Sequence, residues 1–172
     1  MAQASNIQGD QNFQGNVSYN GTVNLPTGTV SNLQVLAGAD VGYQKLQHVI
    51  HAVLAQDAGA ATADQTRTVY IARAAGTVIG ATISIDTAAV GNSTVDVDVL
   101  VSTAGGAFAS VLTAAESIDS STVVRTDTAA TLSGTPALVV GDLVQIDIDA
   151  TVGTGTLPQG ICVDVTVAEQ GT

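Results

Sequence analysis

Apolar and polar side chains alternate along several stretches of this 172-residue chain, most clearly over residues 93–101. One side of that stretch carries Val95, Val97, Val99 and Val101, and the other carries Asp96 and Asp98. A period of two places successive side chains on opposite faces of an extended strand, so the pattern predicts a strand with one buried face. Residues 143–148 and 160–167 repeat it with Val and Ile at alternate positions. Such half-buried strands are typical of antiparallel sheets.

Further β-prone runs fill the rest of residues 43–172. They lie at 68–72, 77–85, 107–112, 122–131 and 137–140, between turns rich in Gly, Asp, Ser and Thr. Strands at this spacing predict an all-β fold, an antiparallel β-sandwich, with a jelly roll of about eight strands as the expected architecture. We assign residues 43–172 to this body.

The start of the body is ambiguous by sequence. Leu46, Val49, Ile50, Val53 and Leu54 have the spacing of one helical face, which favours an amphipathic helix. The β-branched residues of the run, its Gly-rich flank and the β character of the residues after it favour a strand instead. We predict the first strand of the body here, and the helix stays open as an alternative.

Residues 1–42 differ from the body in that glycine recurs at short intervals, at positions 15, 21 and 28. Asn20-Gly21, between two alternating runs, is a strong hairpin signal, and Leu25-Pro26-Thr27-Gly28 predicts a second turn. The region is therefore predicted to be a β-ribbon arm. Because an isolated ribbon of this size is at best marginally stable in water, the arm needs a partner. The candidate residues for assembly and capsid binding are its apolar side chains and the turn proline: Phe13, Val17, Tyr19, Val23, Leu25 and Pro26.

Charge and composition exclude several classes of partner. The chain has 15 Asp and Glu against 4 Lys and Arg, a formal net charge of −11. No basic face can neutralise several phosphates, so we expect no nucleic-acid binding and no attraction to an anionic membrane. The start lacks the basic and apolar regions of a secretory signal, which predicts synthesis in the cytoplasm. The single cysteine, Cys162, cannot form an intramolecular disulfide and is predicted to be a small buried hydrophobe.

Catalytic and metal sites are not favoured by the sequence. The two histidines, His48 and His51, lie three residues apart, which on a strand directs them to opposite faces, and no Gly-x-Ser-x-Gly elbow occurs. The pairs Asp96 with Asp98 and Asp147 with Asp149 each share one strand face, and we interpret them as solvated outer residues rather than Ca²⁺ ligands. We therefore expect no enzyme activity, no cofactor and no metal.

The order of short motifs resembles a known family. Glycine-paced Asn-Val and Thr-Val repeats are followed by Leu-Pro-Thr-Gly-Thr-Val, Lys-Leu-Gln-His, Arg-Ala-Ala-Gly-Thr-Val, Val-Asp-Val-Asp, Ser-Val-Leu-Thr, Gly-Asp-Leu and Pro-Gln-Gly-Ile. This succession, over residues 13–168, resembles the head decoration (capsid cement or head-fibre) proteins of tailed bacteriophages. The resemblance implies a virion protein on the outer capsid surface, a capsid-bound homotrimer with an N-terminal arm and a jelly-roll body, whose partners are the major capsid protein and itself.

A second function class stays open, a fibre-like or lectin-like β-sandwich that recognises a host-surface glycan. Sugar sites usually stack a ring of the sugar on an aromatic side chain. The body offers only Tyr70 and Phe108 as clear candidates, and the chain has no Trp. The structural interpretation is therefore favoured over the glycan-binding one.

Overall fold

The computed structural model of the chain describes residues 47–170, and that part of the chain is all-β, with no helix. It contains twelve strands: β1 (Gln47–Ala55), β2 (Gln65–Ile71), β3 (Gly76–Ser84), β4 (Val90–Gly91), β5 (Thr94–Ser102), β6 (Phe108–Ser110), β7 (Glu116–Ile118), β8 (Thr128–Ala129), β9 (Ala137–Leu138), β10 (Leu143–Thr151), β11 (Gly155–Thr156) and β12 (Cys162–Gln170). Among these residues there is no helix long and apolar enough to cross a membrane.

The strands form two five-stranded antiparallel sheets and one short ribbon. The first sheet has the order β1-β12-β3-β8, with β9 also paired to β3. The second has the order β2-β10-β5-β6, with β7 also paired to β5, and β4 pairs with β11 alone. All these pairs are antiparallel, as the alternating sequence pattern predicts.

One hydrophobic core is shared by the two sheets. From β5, β10 and β12 the alternate apolar side chains point inward and are buried: Val95, Val97, Val99, Val101, Val144, Ile146, Ile148, Val163, Val165 and Val167. Val78 and Ile83 of β3 belong to the same cluster. Full burial of each such side chain stabilises the fold by about 1.5–3 kcal/mol. The alternation predicted from the sequence is confirmed in all three strands.

The ambiguous segment at the start of the body is a strand, β1. Ala52 and Leu54 are buried, while Val49, His51 and Val53 are exposed, which is the two-residue period of a sheet and not that of a helix. All nine residues of β1 pair with β12. The prediction of a first strand is confirmed, because tertiary pairing with β12 decides between two patterns that the local sequence leaves balanced.

The strand count differs from the predicted figure of about eight. Six strands have seven or nine residues, and the other six have only two or three. The predicted strands at 107–112, 122–131 and 137–140 shrink to β6, β8 and β9. Within 122–131 the chain turns at Arg125, whose φ of 55° lies in the left-handed region, and Gly134 and Gly141, with φ of 111° and 93°, stand on either side of β9.

Candidate interaction surface

The two ends of the body are built from different loops. We call the end at which β1 begins the proximal end; it carries loops 72–75, 103–107 and 139–142. There the Ala72 N–H donates to the Asp142 carbonyl and the Gly141 N–H donates to the Ala72 carbonyl. The opposite, distal end carries loops 56–64, 85–93, 119–127 and 152–161. At this end the Asp86 N–H donates to the Gln159 carbonyl, which joins two of these loops.

Carboxylates are distributed unevenly between these ends. The described loops of the distal end carry five, none of them buried: Asp57, Asp64, Asp86, Asp119 and Asp127. At the proximal end the two carboxylates, Asp142 and Glu169, are buried and are 1% and 7% exposed. Arg73 is the one exposed charged side chain in the described proximal loops. Among residues 47–170, the proximal end therefore exposes no carboxylate, in a chain whose formal net charge is −11.

The buried Glu169 carboxylate holds the β2–β3 turn. Its Oε1 accepts hydrogen bonds from the Arg73 and Ala74 backbone N–H groups at 2.8 and 3.2 Å. Burial by itself raises the pKa of Glu169, but the Tyr70 hydroxyl, these two N–H groups and the Arg73 charge outweigh it and lower the pKa. For the Tyr70 hydroxyl, burial and then the neighbouring Glu169 carboxylate raise the pKa. Both groups thus keep their ordinary charge states at neutral pH, and the turn stays fixed.

Asp142 performs the same task for two other proximal loops. Its Oδ1 accepts from the Ala104 N–H at 3.0 Å and its Oδ2 from the Val139 N–H at 2.9 Å. Ala104 has a left-handed φ of 51°, which costs energy for a residue with a side chain. The hydrogen bond from the buried carboxylate supports this conformation. Three loops at this end are thus held by two carboxylates that are almost wholly buried.

An exposed apolar patch lies at the proximal end, on and beside the loops that Glu169 and Asp142 hold. Ile71, Val139 and Val140 are 57%, 52% and 65% exposed. Beside them is a cleft of about 300 Å³ lined mostly by apolar and small residues: Ala75, Gly76, Ala137, Leu138, Val139 and Ala168. Gly76 keeps the cleft wall close, because a Cβ there would lie 2.5 Å from the Ala168 carbonyl oxygen. The distal end also exposes valines, but among carboxylates. The proximal end is the better candidate for burial against another protein.

Glu169→Ala is expected to lower the free energy of unfolding by about 2–4 kcal/mol, because two backbone N–H groups of the β2–β3 turn lose their charged partner. Glu116→Ala is the matched control. Glu116 is half-buried in β7, and its removal should cost less than about 1 kcal/mol. Chemical denaturation followed by circular dichroism measures both. Equal losses for the two variants would contradict the role given to Glu169.

The lowered pKa of Glu169 also fixes the direction of a pH effect. Stability that comes from its ionised form is present above the ordinary glutamate pKa and is lost as pH falls through the lower folded-state pKa. The difference in unfolding free energy between pH 7 and pH 3 should therefore be smaller in Glu169→Gln than in the unmodified protein. A difference of the same size in both would contradict this assignment.

A polar pocket of about 360 Å³ lies at the distal end, with Asp86, Arg125, Asp127 and Cys162 in its lining. Arg125 Nε and Asp86 Oδ1 are 3.9 Å apart, and both side chains are largely exposed, so the pair contributes little. Cys162 corrects the sequence prediction: it is half-buried on the outer side of β12, out of phase with buried Ile161 and Val163. Burial, then Asp164 and Asp127, raise the pKa of its thiol, which keeps it a poor nucleophile.

His51 and the paired aspartates lie on outer faces of the sheets, whereas His48 has the parity of buried Ala52 and Leu54, so the two histidines take opposite faces of β1 as predicted. His51 Nδ1 is 2.8 Å from Asp164 Oδ2 on the neighbouring strand, with the imidazole largely exposed. Asp96 and Asp149 are exposed, whereas Asp98 accepts from the Ser110 hydroxyl at 2.6 Å and Asp147 from the Thr66 hydroxyl. The predicted outward orientation of the four aspartates is confirmed. Within residues 47–170, no three His, Cys, Asp or Glu side chains are grouped as metal ligands would be.

The predicted assembly residues cannot be placed on this surface. Phe13, Val17, Tyr19, Val23, Leu25 and Pro26, with the whole predicted arm 1–42, lie outside the described residues. Sequence reasoning missed both buried carboxylates. Glu169 had a usable signal, since it occupies the inward parity of the Val163-Val165-Val167 series. Asp142 had none, because a Gly-Asp turn before a strand is ordinarily exposed.

A scan of protein-family models found no match to the chain, and a comparison with curated proteins found none either.

Proposed function

We propose that the chain is a structural virion protein, a decoration or cement protein that binds the outside of a tailed-phage capsid and stabilises it. It is made in the host cytoplasm and acts as a homotrimer, with the major capsid protein and its own copies as partners. Its architecture is a jelly-roll body preceded by the β-ribbon arm of residues 1–42. The motif succession in the sequence motivates the phage assignment. The all-β body, with two antiparallel sheets around one core, is consistent with it.

The observation that carries the binding role is the separation of charge between the two ends. A protein surface that docks on another loses water from every group it covers, and an unpaired carboxylate is costly to cover. At the proximal end the two described carboxylates, Asp142 and Glu169, are buried and accept hydrogen bonds from backbone N–H groups. The same end exposes the apolar side chains of Ile71, Val139 and Val140. The distal end keeps its carboxylates in solvent. This polarity suits a molecule that docks proximal end first.

Capsid stabilisation follows from such binding by linkage. A ligand that binds the assembled shell and not its separated subunits stabilises assembly, by an amount that grows with the logarithm of its free concentration once this exceeds the dissociation constant. A trimer would present three proximal ends at once, so that its second and third contacts form at high effective concentration. Weak contacts by each copy would then add up to firm attachment.

The glycan-binding alternative has one observation in its favour, the distal pocket, whose volume of about 360 Å³ and polar lining suit a small sugar. Its lining includes Gln56, Asp86, Arg125 and Asp127 but no aromatic ring. A stacking surface, on which sugar recognition commonly depends, is thus missing from the described lining. The capsid-binding proposal is the better supported of the two.

Purified protein mixed with capsids that lack it should bind saturably and sediment with them. Two matched variants locate the contact: Val140→Asp at the proximal end and Val123→Asp at the distal end, since both valines are 65% exposed. We expect Val140→Asp to weaken binding at least about tenfold, because an unpaired carboxylate would be covered, and Val123→Asp to bind normally. Equal affinities would argue against proximal docking, and absence of binding by the unmodified protein would overturn the proposal.

A further inference from the structure

The first sheet ends in a long strand with one open edge. β1 is terminal in the order β1-β12-β3-β8, and no strand among residues 47–170 pairs with its other side. The opposite side of the same sheet ends in β8 and β9, which have two residues each, and the second sheet ends there in β6 and β7, which have three each. Short terminal strands are a common protection against edge-to-edge pairing. β1, with nine residues, has no such protection.

The hydrogen bonds of β1 identify which groups face the open edge. The Gln56 N–H donates to the Ile161 carbonyl at 2.9 Å, directly across the β1–β12 register. Antiparallel partners alternate between pairs that exchange both hydrogen bonds and pairs that exchange none. It follows that alternate residues bond β12 and the others direct N–H and C=O away from it. The paired amides are those of Ile50, Ala52 and Leu54, and the outward amides are those of Val49, His51 and Val53.

β1 is also unusual in its chemistry. It contains no Asp, Glu, Lys, Arg or Pro, the residues that commonly protect an edge. Val49 and Val53 are each 54% exposed. By contrast β2, the terminal strand of the second sheet on this side, carries the exposed Arg67 and a register shift in its pairing with β10. Of these two long terminal strands, β1 is the one suited to accept another strand.

The chain itself contains a segment with matching properties. Residues 11–39 include no charged side chain, and within them residues 13–30 alternate apolar and polar positions. Sixteen residues, 31–46, separate that segment from β1. Strands paired within one hairpin are usually joined by two to five residues, so a separation of sixteen does not favour a hairpin between this segment and β1 of the same copy. A segment from a neighbouring copy therefore fits the edge better than the copy's own segment.

We propose that residues 13–30 of one copy bind as an added strand along the open edge of β1 in a neighbouring copy. The added strand would satisfy the outward N–H and C=O groups of Val49, His51 and Val53 and cover Val49 and Val53 with its apolar face. This inference rests on the self-association proposed above and names the contact that produces it. Neither β1 nor residues 13–30 contain Asp, Glu, Lys or Arg. Their contact is therefore not opposed by the charge repulsion that is expected between copies of a chain with a net charge of −11.

Amide hydrogen exchange of the full-length protein, read by NMR, tests the contact. In the unmodified protein the outward amides should exchange as slowly as the paired amides, slowed on the order of 100-fold relative to an open edge. The double variant Val17→Asp with Val23→Asp places two charges in the segment and should remove the protection of the outward amides only. Gln3→Asp with Gln8→Asp, which adds the same charge outside residues 13–30, should change nothing. Unprotected outward amides in the unmodified protein would overturn the inference.

Mixing distinguishes a neighbour's segment from the copy's own. The isotope-labelled Val17→Asp, Val23→Asp variant is refolded together with excess unlabelled unmodified protein. If the segment comes from a neighbour, protection of the labelled outward amides returns. If it stays absent although mixed oligomers form, the segment acts within its own copy and the inference is wrong.

A proline in β1 gives an independent readout. Val53→Pro removes an outward N–H and no bond to β12, a position that edge strands tolerate. It should leave the β-sheet signal intact and reduce the sedimenting mass toward that of a monomer, while Val152→Pro, in a distal loop, should not. A trimer that survives Val53→Pro would contradict the inference. Unmodified protein that has protected outward amides yet fails to bind capsids would overturn the proposed function and leave this inference standing.

Discussion

Deletion of residues 1–30 is expected to abolish capsid decoration and to shift the protein from trimer to monomer, while a soluble β-rich body persists. The body should survive because residues 47–170 enclose a core of their own, with Val and Ile side chains from both sheets almost wholly buried. Decoration should be lost because a monomer presents one proximal end where a trimer presents three. With effective concentrations in the millimolar range, the lost avidity would amount to about 10²–10⁴-fold in affinity.

Sedimentation velocity, circular dichroism and capsid co-sedimentation together measure this result. A deletion of residues 1–12 alone serves as the control, since it removes the polar start and leaves Phe13–Val30 in place. It should remain trimeric and bind. If the longer deletion still forms trimers and saturates capsid sites, the body holds the subunit interface and the arm is incidental.

Phage heads that lack this protein should assemble with normal geometry but lose resistance to heat and osmotic shock. A protein that acts only by binding the finished shell contributes its binding free energy to that state and nothing to the path of assembly. At a free concentration of 100 times the dissociation constant, each occupied site adds about 2.7 kcal/mol of stabilisation. Summed over the many sites of a shell, this is a large effect.

Electron microscopy of the heads and their DNA release on heating supply the two measurements. Added protein should restore heat resistance, and Val140→Asp protein should restore less of it than Val123→Asp protein. Failure of heads to form without the protein would make it a shell or scaffold component, contrary to the cement proposal.

The long strands of this body could be predicted from sequence because burial of one face requires apolar residues at alternate positions, and this pattern is visible within the strand itself. The valines at 95, 97, 99 and 101 alternate with polar side chains whatever the neighbouring strand is. The short strands show no such alternation, since two or three residues are too few to establish a period. β8 and β9 exist because β3 lies beside them. Cys162 was misjudged for a related reason: its neighbours Ile161 and Val163 take the inward positions, and a small apolar residue fits either face.

The candidate surface could not be derived from sequence, because it depends on which loops converge at each end. Asp86 and Asp142 both stand beside turns, yet one is exposed at the distal end and the other is buried at the proximal end. Their difference comes from the N–H groups of Ala104 and Val139, and Ala104 is 38 residues away in sequence. Glu169, by contrast, could have been found from strand parity, since it continues the inward series of β12.

The distal carboxylates have a consequence for the whole particle. On a decorated head with proximal ends against the shell, Asp57, Asp64, Asp86 and Asp127 of every copy would face the medium. Heads would then repel one another as like-charged colloids, over a range of about 10 Å at 0.1 M salt that shrinks to about 3 Å at 1 M. Decorated heads should therefore stay dispersed in dilute buffer and aggregate more readily as the salt concentration rises. The distal loops would set this colloidal behaviour although they contact neither the shell nor another partner.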